Sequence, residues 1–380
     1  MRVRWTAVPP VLLVAAAAVL LALLFTARVS RKMPDLEVYW TAAARAHRAE
    51  PLYRAEDGHY QFKYLPAFAV LTMPAAALPL PTAKALWFCA SVLLLVAFVA
   101  LSLATLPERR RPAWALVALT VVVMLKFYGH ELVLGQVNVL FGVLVAGAIA
   151  ALKHRREATA GALVALAIVV KPYAIIFLPW LLARRSGAAI GAAAAGGLAL
   201  VALPAVVYGV HDDILLHQAW WRTVTESTAP NLTNADNVSI AALWAKWIGA
   251  GAAATMLTAV TSAAVLGAAV AVFVRRTALS FPEGLEGALL LTCIPLLSPQ
   301  GWDYVFLVST PAVLFIVNYA DRLPAMLRTA TILGLGIIGL SLYDVMGRAA
   351  YATFMALSIV TVCYFVVIAA LCTLRLRRVA

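Results

Sequence analysis

The stretch LWFCASVLLLVAFVALSLATL at residues 86–106 decides the fold class, because none of its 21 residues carries a charge. A helix needs about 20 apolar residues to cross the roughly 30 Å of bilayer hydrocarbon. Five further runs are also uncharged and nearly as long or longer, at residues 11–27, 132–152, 187–210, 248–274 and 349–374. Shorter apolar runs lie at residues 114–125, 158–170, 174–183, 287–297, 304–320 and 329–343.

The whole composition agrees with these runs. Hydrophobic residues make up 64% of the 380-residue chain and charged residues only 12%, with a mean hydropathy of +0.92. A soluble core cannot hide this much apolar surface, and the runs lack the alternating polarity of membrane β-strands. The sequence predicts an all-α polytopic membrane bundle in one domain over residues 1–380, with roughly ten to thirteen crossings.

The first run resembles a signal peptide only in part. It is longer than a typical h-region, and no small-x-small cleavage pattern follows it, so we interpret it as a first transmembrane helix. The four cysteines are at unrelated spacings and indicate neither a disulfide framework nor a metal site. No cofactor is indicated, and nothing in the sequence specifically calls for a divalent cation.

The net charge of +13 would point to nucleic acid in a soluble protein. Here the basic residues lie between apolar runs, which is the pattern of cytoplasmic loops, and no nucleic-acid partner is expected. This orientation leaves two long polar loops outside, at residues 28–64 and 211–238, and a short one at 298–303. The Ala- and Arg-rich composition is typical of bacteria, so the predicted location is a bacterial plasma membrane.

Two segments complicate the path through the bilayer. Residues 65–80 contain three prolines and either cross or form a re-entrant segment. Lys171-Pro172 interrupts an apolar stretch, which predicts two short half-helices.

Candidate chemistry begins in the first outer loop. Asp35 and Glu37 follow the first apolar run, and either a general base towards a hydroxyl or a solvated acidic pair would fit. Lys63, where the chain re-enters the membrane, suits a phosphate or simple snorkelling to the interface. Lys171, flanked by apolar residues, is a functional candidate by its position.

Other polar residues are more ambiguous. Gln136 and Asn138 could bind sugar hydroxyls or pin helices together. His211 and Asp212 in the second outer loop lack metal-ligand spacing. Asp303, next to Trp302, could be only a charge at a helix N-terminus.

An ordered series of short motifs resembles the polyprenyl-phosphate-sugar-dependent membrane glycosyltransferases of family 87, which have the GT-C fold. The motifs run in order from residue 35 to residue 303: Asp35-Leu36-Glu37-Val38-Tyr39, Glu50-Pro51-Leu52-Tyr53, Lys63-Tyr64-Leu65-Pro66, Leu78-Pro79-Leu80-Pro81, Gly135-Gln136-Val137-Asn138, Lys171-Pro172-Tyr173, Asn237-Val238-Ser239-Ile240, and Ser298-Pro299 with Trp302-Asp303.

This resemblance implies a reaction and its participants. A hexose, most often mannose, would pass with inversion from a polyprenyl-phosphate sugar to a lipid-linked or glycan acceptor on the outer face. Juxtamembrane helices would fill the loop at 28–64. Asp35 would be the base, and the candidates for the donor phosphate are Lys63, Lys171 and Arg222. The expected sugar or acceptor contacts are Glu37, Tyr39, Tyr64, Gln136, Asn138, Asn237, Trp302, Asp303 and Tyr304.

One position departs from the family. Members often carry a His pair after the late Trp-Asp, where this chain has Tyr304 and Val305, so the sugar and the acceptor stay open. Two other readings are a lipid or sugar transporter, whose halves should show an internal repeat that we do not find, and a non-catalytic membrane assembly subunit.

Overall fold

The computed structural model describes residues 10–274 and 281–377. Throughout these ranges the regular structure is helical, apart from one isolated antiparallel β-bridge between Asn237 and Trp302. The predicted all-α polytopic bundle is therefore confirmed.

The helices follow one another with short connections. The first nine are α1 Pro10–Leu24, α2 Pro34–His47, α3 Pro66–Thr72, α4 Leu80–Ala104, α5 Ala113–Leu134, α6 Asn138–Lys153, α7 Glu157–Val170, α8 Phe177–Ala183 and α9 Gly187–Ala202. The next ten are α10 Ala205–Tyr208, α11 Val210–Glu226, α12 Ile240–Ile248, α13 Ala252–Val274, α14 Glu283–Leu297, α15 Thr310–Tyr319, α16 Ala325–Leu340, α17 Tyr343–Met346, α18 Arg348–Ala356 and α19 Ile359–Leu376. Tighter turns extend several of them, a π-helical one at Phe25–Val29 and 3₁₀ turns at Ala55–Tyr60, Met73–Ala77, Pro172–Ile176, Ala229–Asn231, Asp303–Ser309 and Ala320–Arg322.

Six helices in the described residues are long and apolar enough to cross a bilayer. They are Leu80–Ala104, Ala113–Leu134, Gly187–Tyr208, Ala252–Val274, Asp303–Arg322 and Ile359–Leu376. Six shorter apolar helices accompany them. The prediction of ten to thirteen crossings counted the long and the short apolar runs together.

Two apolar runs of the sequence are broken in the structure. The run 132–152 divides at Gly135, whose φ of 69° ends α5 in the left-handed region that favours glycine. A Cβ there would also lie 2.9 Å from the Cβ of Leu36, so α2 packs directly on this turn. The run 349–374 divides at Ser358, which has a φ of 53°.

The path of residues 65–80 is re-entrant. Helix α3 and the following 3₁₀ turn pack against α2, and the Trp40 indole donates to the Leu78 carbonyl at 3.0 Å. The chain therefore returns to the end it came from, and α4 makes a single crossing.

Lys171 and Pro172 separate two half-helices, as predicted. Helix α7 ends at Val170, and after the 3₁₀ turn Pro172–Ile176 helix α8 leads back. Fourteen residues of α7 rise only about 21 Å, which is less than the hydrocarbon thickness. The turn that carries Lys171 therefore lies below the level that a full span would reach.

Several basic connections meet at one end of the bundle. The Lys153 ammonium donates to the Ala104 carbonyl at 2.6 Å, Arg110 pairs with Asp321 at 2.7 Å, and Arg184 pairs with Glu283 at 2.8 Å. The long helices α4 and α5, which the connection around Arg110 joins, have their other termini at the opposite end, where polar residues of the outer-loop motifs gather around a cavity.

Candidate active site

A polar cavity of about 600 Å³ lies at the end of the bundle away from the basic connections. Its walls come from the N-terminal turn of α2, the segment 59–64, the C-terminal turn of α5, the turn after α7, one face of α11, and the segments 234–236 and 298–304. It is therefore assembled from all three polar segments that the sequence assigned to one face.

Asp35 enters the cavity from the first turn of α2. Met33, with a φ of 66°, turns the chain into the helix, and its backbone N–H donates to the Val133 carbonyl at 2.9 Å. Partial burial raises the pKa of the Asp35 carboxyl, and the Gln136 amide and the Lys171 ammonium partly offset that rise. The carboxylate therefore holds a proton more readily than an exposed aspartate does.

A chain of hydroxyl groups lines the floor beside Asp35. The Lys171 ammonium donates to the Tyr64 hydroxyl at 3.0 Å, which lies 2.6 Å from the Tyr39 hydroxyl. The Tyr39 hydroxyl donates to Gln136 Oε1 at 3.1 Å. Residues that are 97 positions apart in the sequence are thus joined in one network.

Lys63 lies on the same side of the cavity. Its pKa is lowered by burial, with Asp35 partly offsetting that decrease. The Trp220 indole donates to the Lys63 carbonyl at 3.2 Å, so α11 covers this part of the site. Together with Lys171, Lys63 gives the wall around Asp35 a surplus of positive charge.

A second wall is built around Asp303. Its carboxylate forms an ion pair with the Lys126 ammonium at 2.8 Å, and both side chains are only 2% exposed. His130, one helical turn after Lys126, places Nδ1 3.8 Å from the other carboxylate oxygen while its side chain is 41% exposed. Asp236 joins this wall from the second outer loop.

Backbone pairing holds the second wall in place. The Val238 amide donates to the Gly301 carbonyl at 2.7 Å, and the Asp303 amide donates to the Asp236 carbonyl at 2.9 Å. A Cβ at Gly301 would collide with the Pro295 carbonyl, so only glycine allows this approach.

Tyr304 lies between the two walls. Its ring stacks on the Trp302 ring with centroids 6.5 Å apart, and its hydroxyl is 3.5 Å from the Gln136 amide nitrogen. The two residues form an aromatic surface on the wall of the cavity.

Nine of the residues singled out from the sequence line this cavity: Asp35, Tyr39, Lys63, Tyr64, Gln136, Lys171, Trp302, Asp303 and Tyr304. The structure places the other four elsewhere. Glu37 is one of them, and its carboxylate pairs with Lys84 at 2.5 Å.

The two amides Asn138 and Asn237 are fully buried. Asn138 is the first residue of α6 and donates to the Glu131 carboxylate at 3.0 Å. Asn237 donates to the backbone carbonyls of Asn231 and Pro299, each at 3.0 Å. Both amides therefore bond to neighbouring protein groups and do not line the cavity.

Arg222 is the fourth displaced residue. It lines a separate hollow beside α9, together with Trp221. In a helix, positions two apart point about 200° away from each other, so Trp220 and Val224 face the cavity and Arg222 does not.

Sequence reasoning missed three groups on the second wall: Lys126, His130 and Asp236. The apolar run that begins at residue 114 was predicted to end at residue 125 because charged residues follow, whereas α5 continues to Leu134. The four-residue spacing of Lys126 and His130 places both on one helix face, which was the available signal. No group of three His, Cys, Asp or Glu side chains within the described ranges is arranged to hold a metal ion.

Two further hollows adjoin the cavity. An apolar groove of about 310 Å³ runs between α2, the re-entrant segment and α4, and Tyr39 lines both it and the cavity. A second hollow of about 670 Å³ is lined by Arg31, Lys32 and Glu37. It shares Pro34, Val38, Tyr60, Val133 and Leu134 with the cavity.

Comparisons with known proteins show the family of this chain. Searches among curated proteins and among solved structures found no match. The family model of glycosyltransferase family 87 matches residues 62–299, which include Lys63, Gln136, Lys171 and most of the second wall. Since that match covers more than half of the 380 residues, this chain belongs to glycosyltransferase family 87.

Proposed function

We propose that this protein transfers a hexose, with mannose as the first candidate, from a polyprenyl-phosphate donor to a hydroxyl of a lipid-linked or glycan acceptor. The observation that carries the proposal is the position of Asp35 in a polar cavity, within electrostatic range of Lys171 and Lys63. A carboxylate base and basic groups in one cavity are what a single displacement at an anomeric carbon requires.

Asp35 is the proposed general base. It takes the proton of the acceptor hydroxyl while that oxygen forms a bond to the anomeric carbon. The bond between this carbon and the phosphate oxygen breaks, and the lipid phosphate leaves with the electron pair. Attack from the opposite face inverts the configuration, and the phosphate needs no general acid.

Lys63 and Lys171 are the proposed phosphate ligands. Positive groups that are already in place where charge develops lower the barrier without reorganisation. Lys171 is at most 9% exposed, so water competes little with a phosphate there.

The apolar groove supports a lipid donor. It joins the cavity at Tyr39, and Leu71 and Leu86 on its rim are 45% and 55% exposed. A polyprenyl chain lying in this groove would place its phosphate inside the polar cavity.

The distribution of basic residues supports an extracytoplasmic site. Cytoplasmic connections are rich in Lys and Arg, and such connections gather at the end opposite the cavity. The first outer loop carries basic residues as well, among them Arg28, Arg31, Lys32, Arg45, Arg48 and Arg54. We therefore propose a plasma membrane protein whose cavity opens to the outside, working in construction of the cell envelope.

The test uses the purified protein in nanodiscs with radiolabelled polyprenyl-phosphate mannose and a lipid extract of the native cell. Asp35→Asn should abolish transfer without changing the folded yield. Glu37→Gln should keep most of it, because that carboxylate is already paired with Lys84. Full activity in Asp35→Asn would overturn its assignment as the base. Movement of the donor across the membrane with no new glycosidic bond would instead favour a transporter.

A further inference from the structure

The second wall contains a histidine that the proposed reaction has not used. We propose that His130, oriented by Asp303, binds a substrate hydroxyl through Nε2. The proposal rests on the proposed function, since it assigns a contact for the acceptor in the same cavity.

Asp303 is a fixed anion. Its carboxylate is buried against the Lys126 ammonium at 2.8 Å, and that ammonium also lies 4.9 Å from the centroid of the Tyr351 ring. A buried ion pair is expensive to form, and an ionisable pair inside a membrane protein is a functional candidate by its position. The pair neutralises itself and leaves one carboxylate edge turned towards the cavity.

That edge faces the imidazole of His130. Nδ1 lies 3.8 Å from Asp303 Oδ1, a separation that a small ring rotation closes when substrate fills the cavity. A carboxylate beside Nδ1 favours the tautomer with the proton on that nitrogen. Nε2, on the other side of the ring, then carries a lone pair that accepts a hydroxyl proton.

The half-exposed ring can meet a ligand. His130 lines the cavity beside Trp302 and Tyr304, whose stacked rings offer a flat surface to a sugar. The neighbouring backbone is held by the Lys246 ammonium, which donates to the carbonyls of Ala235 and Asn237 at 2.9 and 2.7 Å.

Several charged or titratable groups surround His130. They come from five parts of the chain: Lys126 on α5, Asp236 in the second outer loop, Lys246 on α12, Asp303 before α15 and Tyr351 on α18.

The first measurement reads the tautomer directly. Histidine labelled with ¹⁵N distinguishes the two ring nitrogens by NMR, and the signal lost in His130→Gln identifies His130. We expect Nδ1 to be protonated and Nε2 free in the neutral ring. This preference should disappear in the double variant Lys126→Met with Asp303→Asn, which leaves no buried charge unpaired. A proton on Nε2 in the wild type would overturn the proposal, whether or not mannose is transferred.

The second measurement uses transfer. In His130→Gln we expect the KM for the acceptor to rise about tenfold, as for loss of one hydrogen bond, with the donor Kd unchanged. His217→Gln is the matched control, because its Nδ1 is 3.2 Å from the Asp213 carboxylate but it lines a different hollow. An unchanged KM for the acceptor in His130→Gln would refute the role, while absence of transfer in the wild type would count against the proposed donor alone.

Discussion

The Lys171 ammonium donates to the Tyr64 hydroxyl at 3.0 Å and lies 4.8 Å from the centroid of the same ring. The pair joins the break between α7 and α8 to the end of the first outer loop. Both residues lie within electrostatic range of Asp35, so this contact connects the proposed phosphate site with the proposed base.

Replacing Lys171 by Met should change both the rate and its pH dependence. We expect transfer to fall about 10²- to 10³-fold, as when one preorganised charge-stabilising donor is removed. Asp35 must be ionised to act as a base, so activity is lost as the pH falls through its pKa. Because the Lys171 ammonium lowers that pKa, its removal should move the acid limb of kcat/KM to higher pH.

Lys153→Met is the control for this variant. Its ammonium donates to the Ala104 carbonyl at the other end of the bundle, so any loss should be of stability alone. An acid limb that stays in place in Lys171→Met would separate Lys171 from Asp35.

Replacing Tyr64 by Phe removes the hydroxyl that accepts a hydrogen bond from the Lys171 ammonium. Tyr39 keeps its bond to Gln136, so the network loses one member but does not collapse. We expect donor affinity to fall by about 1 kcal/mol, or roughly fivefold, measured by donor binding to the purified protein. Tyr319→Phe loses a hydroxyl bond to the Glu108 carbonyl far from the cavity and should leave donor affinity unchanged. Equal binding in both variants would contradict the network.

Filling the apolar groove should discriminate between donors by chain length. Ala90 lines the groove on α4, and Ala90→Trp should raise the KM for long polyprenyl donors several-fold more than for short-chain analogues. Ala100→Trp is on the same helix at an exposed position and is the control. The measurement is a series of KM values against chain length, and a uniform change across that series would exclude the groove as the lipid site.

Replacing Gly301 by Ala tests the pairing of the two outer segments. Its Cβ would collide with the Pro295 carbonyl, so we expect a loss of roughly 2 kcal/mol or more in stability, as for overpacking. Gly336, inside α16, has nothing within 4 Å of an added Cβ, and Gly336→Ala should be neutral or stabilising. Thermal unfolding in detergent measures both, and an unchanged melting temperature in Gly301→Ala would show that the segment can adjust.

The sequence predicted the helical class and one wall of the cavity well, for a physical reason. Long uncharged runs favour the lipid bilayer over water. Asp35, Lys63 and Lys171 stand out because charge next to such runs is costly. The second wall was predicted less well. Lys126 and His130 look like the polar end of an apolar segment unless one notices that they share one face of a helix.

Some predicted site residues do not line the cavity, and the cause is equally local. Gln136 and Asn138 are two positions apart, but α6 begins at Asn138, so Gln136 lies in the connection and lines the cavity while Asn138 donates to Glu131. The prediction for Arg222 required knowing which face of α11 is turned towards the cavity. The polar composition of α11 does not reveal that face.

The shortness of α7 bears on how a substrate is loaded. Its 14 residues place Lys171 roughly a third of the hydrocarbon thickness below a full span. A lipid whose headgroup had to rise to a site above the bilayer would expose its tail to water, at about 4 kcal/mol for a five-carbon isoprene unit. The phosphate site that we propose at Lys171 would avoid that extraction, so we expect the donor to load by sideways diffusion within the leaflet.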